Sequence, residues 1–271
     1  MIVAILVAVL VAPFFIDWSS HKTVFEREAS RLLGHPVRVR GDADAQILPI
    51  PSFTFTDIEV GQANNAPIMS AAGVKVRVEL IPLLQSEIEV IDMELDRPQM
   101  NVRIDRDGNS NWILDDAQPM IGDAFAVKLG PVTIREGGIY FANEAQNVSV
   151  RLSDIDATVR AQSLLGPWKA EGRASEETGA FSFKIGTGKL EDGIVRVKTA
   201  LEPDDLPFNA SFDGKLAFRD EDGTTIFPRY EGIVNLAEIE AVEHGGEDQA
   251  QRTRKPDGWT LEGAYKLSRE A

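Results

Sequence analysis

Residues 74–80 read Val-Lys-Val-Arg-Val-Glu-Leu, and apolar and charged side chains alternate at every position. Because successive side chains of a β-strand point to opposite faces, this alternation puts the valines on one face and Lys75, Arg77 and Glu79 on the other. A helix with the same residues would scatter both kinds around its axis. The stretch therefore predicts a strand with one apolar and one charged face.

The same period of two recurs through the chain after Pro36. It is clearest in residues 37–39, 53–55, 88–104, 132–141, 148–152, 181–185, 195–197, 208–218 and 230–236. The phase slips between Val90 and Ile91, which predicts a β-bulge. Turns are predicted at Asp107-Gly108, Gly137-Gly138, Asp192-Gly193, Asp222-Gly223 and Asp257-Gly258. We therefore predict a mainly β protein with a long series of antiparallel strands, apolar on one face and polar on the other.

Residues 19–33 have a different period and predict one amphipathic helix. Ser19 or Ser20 can cap its start, and the apolar residues Phe25, Ala29, Leu32 and Leu33 fall on one side. Gly34 stands where a helix-ending glycine belongs, and Pro36 prevents continuation. We expect this helix to close one end of the sheet rather than to lie on a membrane, because its polar side carries mixed charges.

Residues 2–16 form an uninterrupted apolar run that ends at Asp17. The run is shorter than the roughly 20 residues that span a bilayer. A cleaved signal peptide, a buried helix and a membrane anchor are the alternatives, and we favour the anchor, with Trp18 at the interface. The expected anchor residues are Ile2, Ile5, Leu6, Val9, Leu10, Phe14, Phe15, Ile16 and Trp18.

Basic residues lie only on the far side of this run, where Lys22, Arg27 and Arg31 follow it. The positive-inside rule, applied literally, would put the main body in the cytoplasm. We expect instead that the given chain begins inside the anchor, that a basic stretch precedes it, and that the body lies on the other side of the membrane. We also expect the protein to continue beyond Ala271.

Composition excludes several classes of function. The net charge is −15, from 28 basic and 43 acidic residues, and so acidic a surface disfavours nucleic-acid binding. The chain has no cysteine, and His21, His35 and His244 are too far apart in sequence to suggest a metal site. No nucleophile elbow or phosphate loop occurs. We expect no enzymatic activity, no metal and no cofactor.

Domain organisation follows from these segments. We predict a transmembrane anchor over residues 1–18, a helix followed by a β-sheet domain over 19–116, and a continuing β-sheet region over 124–271. The linker between the last two contains Pro119 and Gly122.

The order of these segments resembles the AsmA family. Residues 34–41, with Gly-His-Pro-Val-Arg-Val, resemble the turn that opens a strand after the family's first helix. The run Leu-Ile-Pro-Leu-Leu at 80–84, followed by Ile-Glu-Val at 88–90, resembles another family segment. The Asp-Gly turn at 107–108 with Asn111-Trp112, and the stretch 132–141, also match. The resemblance covers about residues 1–240.

This resemblance implies a bacterial inner-membrane protein with a single span and a periplasmic body. It implies a chorein-like first domain, akin to those of bridge-like lipid transfer proteins. It also implies a long antiparallel curved sheet that forms an apolar groove, and a role in phospholipid traffic or outer-membrane homeostasis. The expected partners are phospholipid acyl chains, the inner membrane and other envelope proteins. An envelope assembly factor that binds proteins through sheet edges, for outer-membrane protein biogenesis, is the alternative.

Alternation also selects the residues that would line such a groove. Each is apolar and alternates with polar neighbours, although a closed core would give the same pattern. The candidate lining residues are Phe53, Phe55, Val74, Val76, Val78, Ile88, Val102, Ile104, Phe181, Phe183, Phe208 and Phe212.

Overall fold

A computed structural model describes the fold of most of the chain. The described residues are 22–47, 49–61, 66–84, 87–106, 111, 128–144, 147–161, 166–191, 193–219, 225–241, 252–254 and 260–267. The chain divides into two compact units, Met1–Leu165 and Gly166–Ala271. The predicted anchor and the predicted linker near residues 116–124 lie outside the described residues, so both stay predictions.

Strand is the dominant class, as predicted. Within the described residues there are two helices, α1 (Lys22–Leu33) and α2 (Leu80–Leu84), and neither is long and apolar enough to cross a membrane. The strands of the first unit are β1 (Val37–Val39), β2 (Ala43–Gln46), β3 (Ser52–Val60), β4 (Met69–Val78), β5 (Glu89–Asp96), β6 (Gln99–Ile104), β7 (Lys128–Leu129), β8 (Val132–Asn143) and β9 (Val148–Ala161).

The sheet of the first unit is mixed, so the prediction of a wholly antiparallel sheet is wrong here. β1 and β2 both pair with β3, and β3 pairs with β4. β5 and β6 then lie in line along β4, because β5 pairs with one end of β4 and β6 with the other, both antiparallel to it. Both run parallel to β8, and β9 returns antiparallel to β8. Alternation indicates which face a residue occupies but not the direction of the neighbouring strand. The parallel pairing was therefore not predictable from this pattern.

The predicted bulge at Ile91 is confirmed. Arg77 pairs with Asp92 and Val78 pairs with Val90, so Ile91 is the extra residue in β5. The predicted turn at Gly137-Gly138 is wrong, because both glycines lie inside β8, where the register with β9 shifts. A bulge and a turn both favour glycine, which explains the error.

Helix α1 forms where the sequence predicts the amphipathic helix, and Gly34 ends it with a φ of 69°. Phe25 and Ala29 pack against a buried cluster formed by β1, β2 and β3, whereas Leu33 stays exposed. The ring of Phe25 lies 4.0 Å from that of Phe55, measured between centroids. The helix therefore covers the apolar face of the sheet at β3.

The same helix also closes the free edge of β1. The amide of Val37 donates a hydrogen bond to Ser30 Oγ at 2.7 Å, and the amide of Val39 donates one to Glu26 Oε1 at 2.8 Å. Lys22 Nζ donates to the carbonyl of Gly41. An unpaired edge strand would offer these amides to another chain. Here they are already bonded.

A line of left-handed residues crosses the first unit at one level. Asp57 in β3, Arg97 between β5 and β6, Glu136 in β8 and Asp154 in β9 have φ values of 51°, 45°, 50° and 48°. The register brings them to adjacent positions, since Thr56 pairs with Gly73, Gly73 with Asp96, and Asp96 with Arg135. Arginine and glutamate adopt positive φ only at a cost, whereas aspartate tolerates it more readily.

The second unit is an antiparallel meander, as predicted for the whole sheet. Each strand from β10 to β14 pairs with the next, and β15 and β16 both pair with β14. Glu191 and Ile194 form a bridge across the predicted turn at Gly193, which has a φ of 75°. The strands are β10 (Trp168–Glu176), β11 (Gly179–Thr187), β12 (Ile194–Pro203), β13 (Phe208–Arg219), β14 (Thr225–Ala241), β15 (Arg252–Arg254) and β16 (Thr260–Leu267).

The hydrogen bond from Glu26 to the edge of β1 has a measurable consequence. Glu26→Ala should lower the free energy of unfolding by about 1–2 kcal/mol, because it leaves the amide of the buried Val39 without an acceptor. The amide should then exchange faster with deuterium. Glu28→Ala on the same helix is the control and should cost less than about 0.5 kcal/mol, since Glu28 forms only an exposed ion pair with Arg31. Equal effects of the two variants would contradict this role for Glu26.

The strained backbone at Glu136 can be relieved. Glu136→Gly should raise the free energy of unfolding by about 0.5–1 kcal/mol, because glycine adopts positive φ without steric cost. The main-chain bond from the Glu136 amide to Asp156 Oδ1 would remain. Thr133→Gly in the same strand should instead destabilise the protein, because its backbone is in the ordinary strand region. Denaturant unfolding of the full chain in detergent micelles measures both, and a loss of stability in Glu136→Gly would refute the strain.

Candidate functional site

Apolar residues from different strands of the first unit line up in rows across the sheet. Residues paired in register on adjacent strands point to the same face. The register therefore defines a first row of Phe53, Val76, Met93, Val132 and Val159. A second row, two residues along each strand, contains Phe55, Val74, Leu95, Ile134 and Ala157. Every position in both rows is apolar.

A third row lies beyond the line of left-handed residues. It contains Val60, Met69, Met100, Ile139 and Leu152. Met69 packs against the same buried cluster as Val74, so the third row faces the same side as the second. On each strand, members of the second and third rows are separated by an odd number of residues. Strict alternation would have put them on opposite faces. Left-handed residues lie between the two rows on β3, at the β5–β6 connection, on β8 and on β9, and they correct the phase there.

The opposite face of the same strands is polar. Between the first two rows lies a row of Thr54, Lys75, Glu94, Thr133 and Thr158. Beside it, Arg77 Nε donates to Asp92 Oδ1 at 2.7 Å. That hydrogen bond and the charge of Asp92 raise the pKa of Arg77 further above its ordinary value. The sheet is thus apolar on one face and charged on the other.

Exposure divides the apolar face into a covered and a less covered part. Phe55 is 5% exposed under helix α1, and Ala157 is 8% exposed. Val74, Val76, Met93, Val132, Ile134 and Val159 are only half-buried. Among the described residues of the first unit, α1 is the one helix longer than five residues. The rows therefore keep accessible apolar surface beyond the reach of α1.

The structure places the sequence-selected residues of the first unit in three different settings. Val74 and Val76 lie in the rows. Phe53 and Phe55 lie in the rows at β3, where their ring centroids are 5.7 Å and 4.0 Å from that of Phe25 on α1. Val78 is buried against Val90, next to the first row. Three others lie elsewhere: Val102 pairs with Phe141, Ile104 is buried beside Asn143, and Ile88 is 42% exposed just before β5.

The strands of the second unit, taken by themselves, carry similar and mostly apolar rows. One row contains Gly172, Phe183, Leu201, Ala210 and Leu236, and the next contains Ala170, Ile185, Thr199, Phe212 and Val234. Phe181 pairs with Ala174, its ring centroid lies 6.4 Å from that of Phe183, and Phe208 pairs with Glu238. The described residues of this unit contain no helix that could cover the face.

Sequence reasoning missed part of the site. Met93, Leu95, Val132, Ile134 and Val159 belong to the rows but were not selected as lining residues. Alternation marked most of them as strand residues, but the parallel pairing of β5 with β8 brings them together, and this pairing has no local signal. Among the described residues, no cluster of acidic or histidine side chains could hold a metal ion. The expectation of a protein without metal, cofactor or catalysis stays a prediction.

If the rows are accessible, a charge should be tolerated there better than under the helix. Phe55→Asp should lower the free energy of unfolding by at least about 3 kcal/mol, because the carboxylate cannot reach water. Met93→Asp should cost less than about 2 kcal/mol, because Met93 is half-buried. Urea denaturation of the full chain in detergent micelles compares the two. Equal losses would mean that the row at Met93 is a closed core.

Comparison with known families agrees with the resemblance seen in the sequence. A sequence model described as the AsmA family matches residues 1–163, which is more than half of the 271-residue chain. The match spans almost the whole first unit and ends before residue 240, the limit that the motifs suggested. No curated protein and no solved structure matches the chain.

Proposed function

Because this chain belongs to the AsmA family, we propose that it acts in the Gram-negative envelope by binding phospholipids through their acyl chains. In this proposal the protein is anchored in the inner membrane and its body lies in the periplasm, where it binds or conducts phospholipid for outer-membrane homeostasis. The observation that carries the proposal is the set of apolar rows that cross the first unit in register.

The length of the rows suits an acyl chain. Five strands spaced at about 4.8 Å give a row roughly 19 Å long. Half of a bilayer's hydrocarbon core, which one tail spans, is about 15 Å thick. One row can therefore take a whole tail within the first unit. Each methylene buried there would contribute about 0.8 kcal/mol.

The same geometry predicts little selection among headgroups at this face. The rows offer apolar area and no charged side chain, because charged residues such as Lys75 and Glu94 lie on the opposite face. A headgroup would remain in water while the tails lie on the sheet. A net charge of −15 would also not attract anionic headgroups to this face.

The alternative function, an assembly factor that binds proteins through sheet edges, has less support. β1 and β2 form one edge of the sheet, and along β1 the side chains of Glu26 and Ser30 of α1 already accept the hydrogen bonds of the outward amides. A strand from another protein would have to displace the helix. An envelope enzyme is a third possibility for which the described residues provide no site.

Lipid contact can be tested with a photoreactive amino acid at Val76, Met93 or Val132 of the full chain in cells. These probes should crosslink phospholipid, because their side chains belong to one apolar row. Probes at Lys75, Glu94 and Thr133, the next residues on the same strands, are matched controls and should label lipid at least ten-fold less. Mass spectrometry of the crosslinked adducts measures both sets.

Two outcomes would reject the proposal in different ways. Equal lipid labelling from both faces would mean that the apolar rows have no special role in lipid contact. Crosslinks to proteins instead of lipids from the apolar probes would favour the assembly-factor alternative.

A reduced yield of lipid crosslinks in Val76→Asp, with the thermal unfolding midpoint unchanged, would identify the row itself as the lipid contact.

A further inference from the structure

The exposed isoleucines of the first unit lie at one end of its sheet. Among the described residues of this unit they are Ile50, Ile81 and Ile88, and Ile81 is 70% exposed. Ile50 precedes β3, Ile81 lies in α2 after β4, and Ile88 precedes β5. Because β4 is antiparallel to both β3 and β5, the start of β3, the end of β4 and the start of β5 meet at this end. We call these three residues the isoleucine tip.

The connections that carry the tip are bonded to one another. The amide of Val78, at the end of β4, donates to the carbonyl of Pro51 at 2.9 Å. The amide of Glu79 donates to the carbonyl of Glu89 at 2.9 Å. Pro51 and Glu89 directly follow two of the isoleucines, and the third is two residues after Glu79. The tip is therefore one local surface.

The chain at this end is apolar where surface loops are usually polar. Residues 47–51 contain only isoleucine, leucine and proline, and so does α2. The stretches that follow β3 and β8, whose last residues are at the opposite end, read Gly-Gln-Ala-Asn-Asn at 61–65 and Glu-Ala-Gln-Asn at 144–147. Exposed apolar residues that are clustered mark an interaction surface.

Helix α1 points its first residue toward the same end. Lys22 at its start bonds to the carbonyl of Gly41, whereas Ser30 near its end bonds to the amide of Val37. The helix therefore runs antiparallel to β1, which is itself antiparallel to β3. The amide of Gly41 bonds to the carbonyl of Thr56 at 3.1 Å, which places the start of α1 beside the middle of β3. The N-terminal end of α1 thus points toward the start of β3.

The predicted anchor is close enough along the chain to reach this end. Residues 17–21 alone separate the apolar run 2–16 from Lys22, and fully extended they cover at most roughly 21 Å. From Thr56, beside the start of α1, to Pro51 is about 17 Å along the strand. A bilayer that holds the apolar run is therefore within reach of the isoleucine tip.

Three glutamates beside the tip decide how it can bind a membrane. Glu79 and Glu87 are exposed, and the half-buried Glu89 pairs in register with Lys128. Anionic headgroups would repel these carboxylates. On a zwitterionic membrane the carboxylates can stay in water while the isoleucines enter the interface. The surface therefore fits a bilayer that it enters through apolar contact and not through charge.

We propose that the isoleucine tip docks on the bilayer that anchors residues 2–16 and inserts its side chains below the headgroups. This rests on the anchoring part of the proposed function and adds which end of the first unit contacts the membrane. Docking need not be strong by itself, because the tether keeps the tip at a high effective concentration near the lipid.

The chain has no cysteine, so single cysteines can carry a fluorescent label in the full chain reconstituted in phosphatidylcholine nanodiscs. Lipid with a nitroxide on its acyl chain should quench labels at Ile50→Cys and Ile81→Cys at least three-fold more than a label at Val148→Cys. Val148 is the matched control, because it is 46% exposed, against 42% for Ile50, and pairs with the last residue of β8 at the opposite end. A label at Ile5→Cys reports whether the apolar run is in the bilayer.

A charge in the tip separates insertion from mere proximity. Ile81→Asp should lower the quenching of the label at Ile50→Cys at least three-fold with the unfolding midpoint unchanged, because Ile81 is exposed. Val148→Asp should leave that quenching unchanged. Nanodiscs of phosphatidylglycerol should give less quenching than those of phosphatidylcholine, and added salt should restore it, because salt screens the glutamates.

Three results would overturn the proposal, and each has a different meaning. If the label at residue 5 is quenched but those at residues 50 and 81 match residue 148, the chain is anchored and the tip does not dock. If the tip labels are shielded from both the lipid nitroxide and aqueous iodide, another part of the chain or a second copy covers the tip. An unquenched label at residue 5 would reject the anchor and the docking together. The lipid crosslinks from β4, β5 and β8 test acyl-chain binding separately.

Discussion

The period-two alternation of strand side chains is the constraint on which the first unit depends. A strand that keeps strict alternation can hold an apolar face only as long as its sequence keeps the same phase. Here the phase changes once in each long strand, and the changes fall on one line across the sheet. The left-handed backbone at Asp57, Arg97, Glu136 and Asp154 turns β3, the β5–β6 connection, β8 and β9 so that the apolar residues stay together. Local strain at this line is thus the condition for one continuous apolar face.

Alternation made most of the fold predictable, and it failed where the structure uses information that alternation does not carry. The bulge at Ile91 was predictable because the apolar–polar alternation is regular on both sides of it and changes phase there. The phase change in β8 was mistaken for a turn at Gly137-Gly138, since glycines are favoured in bulges and turns alike. The direction of neighbouring strands was also not predictable from alternation. The sequence therefore revealed the period of the sheet but not its connectivity.

The candidate site was predictable to the same extent. Phe53, Val74 and Val76 were found because they alternate, but alternation cannot say which neighbour covers a residue. Phe55 has the same pattern and lies beneath Phe25, because α1 docks on β3. Helix α1 also satisfies the amides of β1, so one helix both closes an edge and leaves much of the apolar face accessible. Only tertiary contacts distinguish these two parts of the face.

The parallel pairing of β5 and β6 with β8 has a consequence for how the chain reaches this fold. Met93 must find Val132 before the sheet is continuous, whereas β8 and β9 are neighbours along the chain and need only close a short loop. Loop-closure entropy delays the more distant pairing, so the hairpin of β8 and β9 should form while the partner strand is still unpaired. During synthesis, the strands up to β6 emerge with that edge and their apolar rows exposed. The pairing of β5 and β6 with β8 is thus both the slow step of folding and the step with the greatest risk of aggregation. Synthesis from the N-terminus prolongs it, because β8 is made after the strands that it joins.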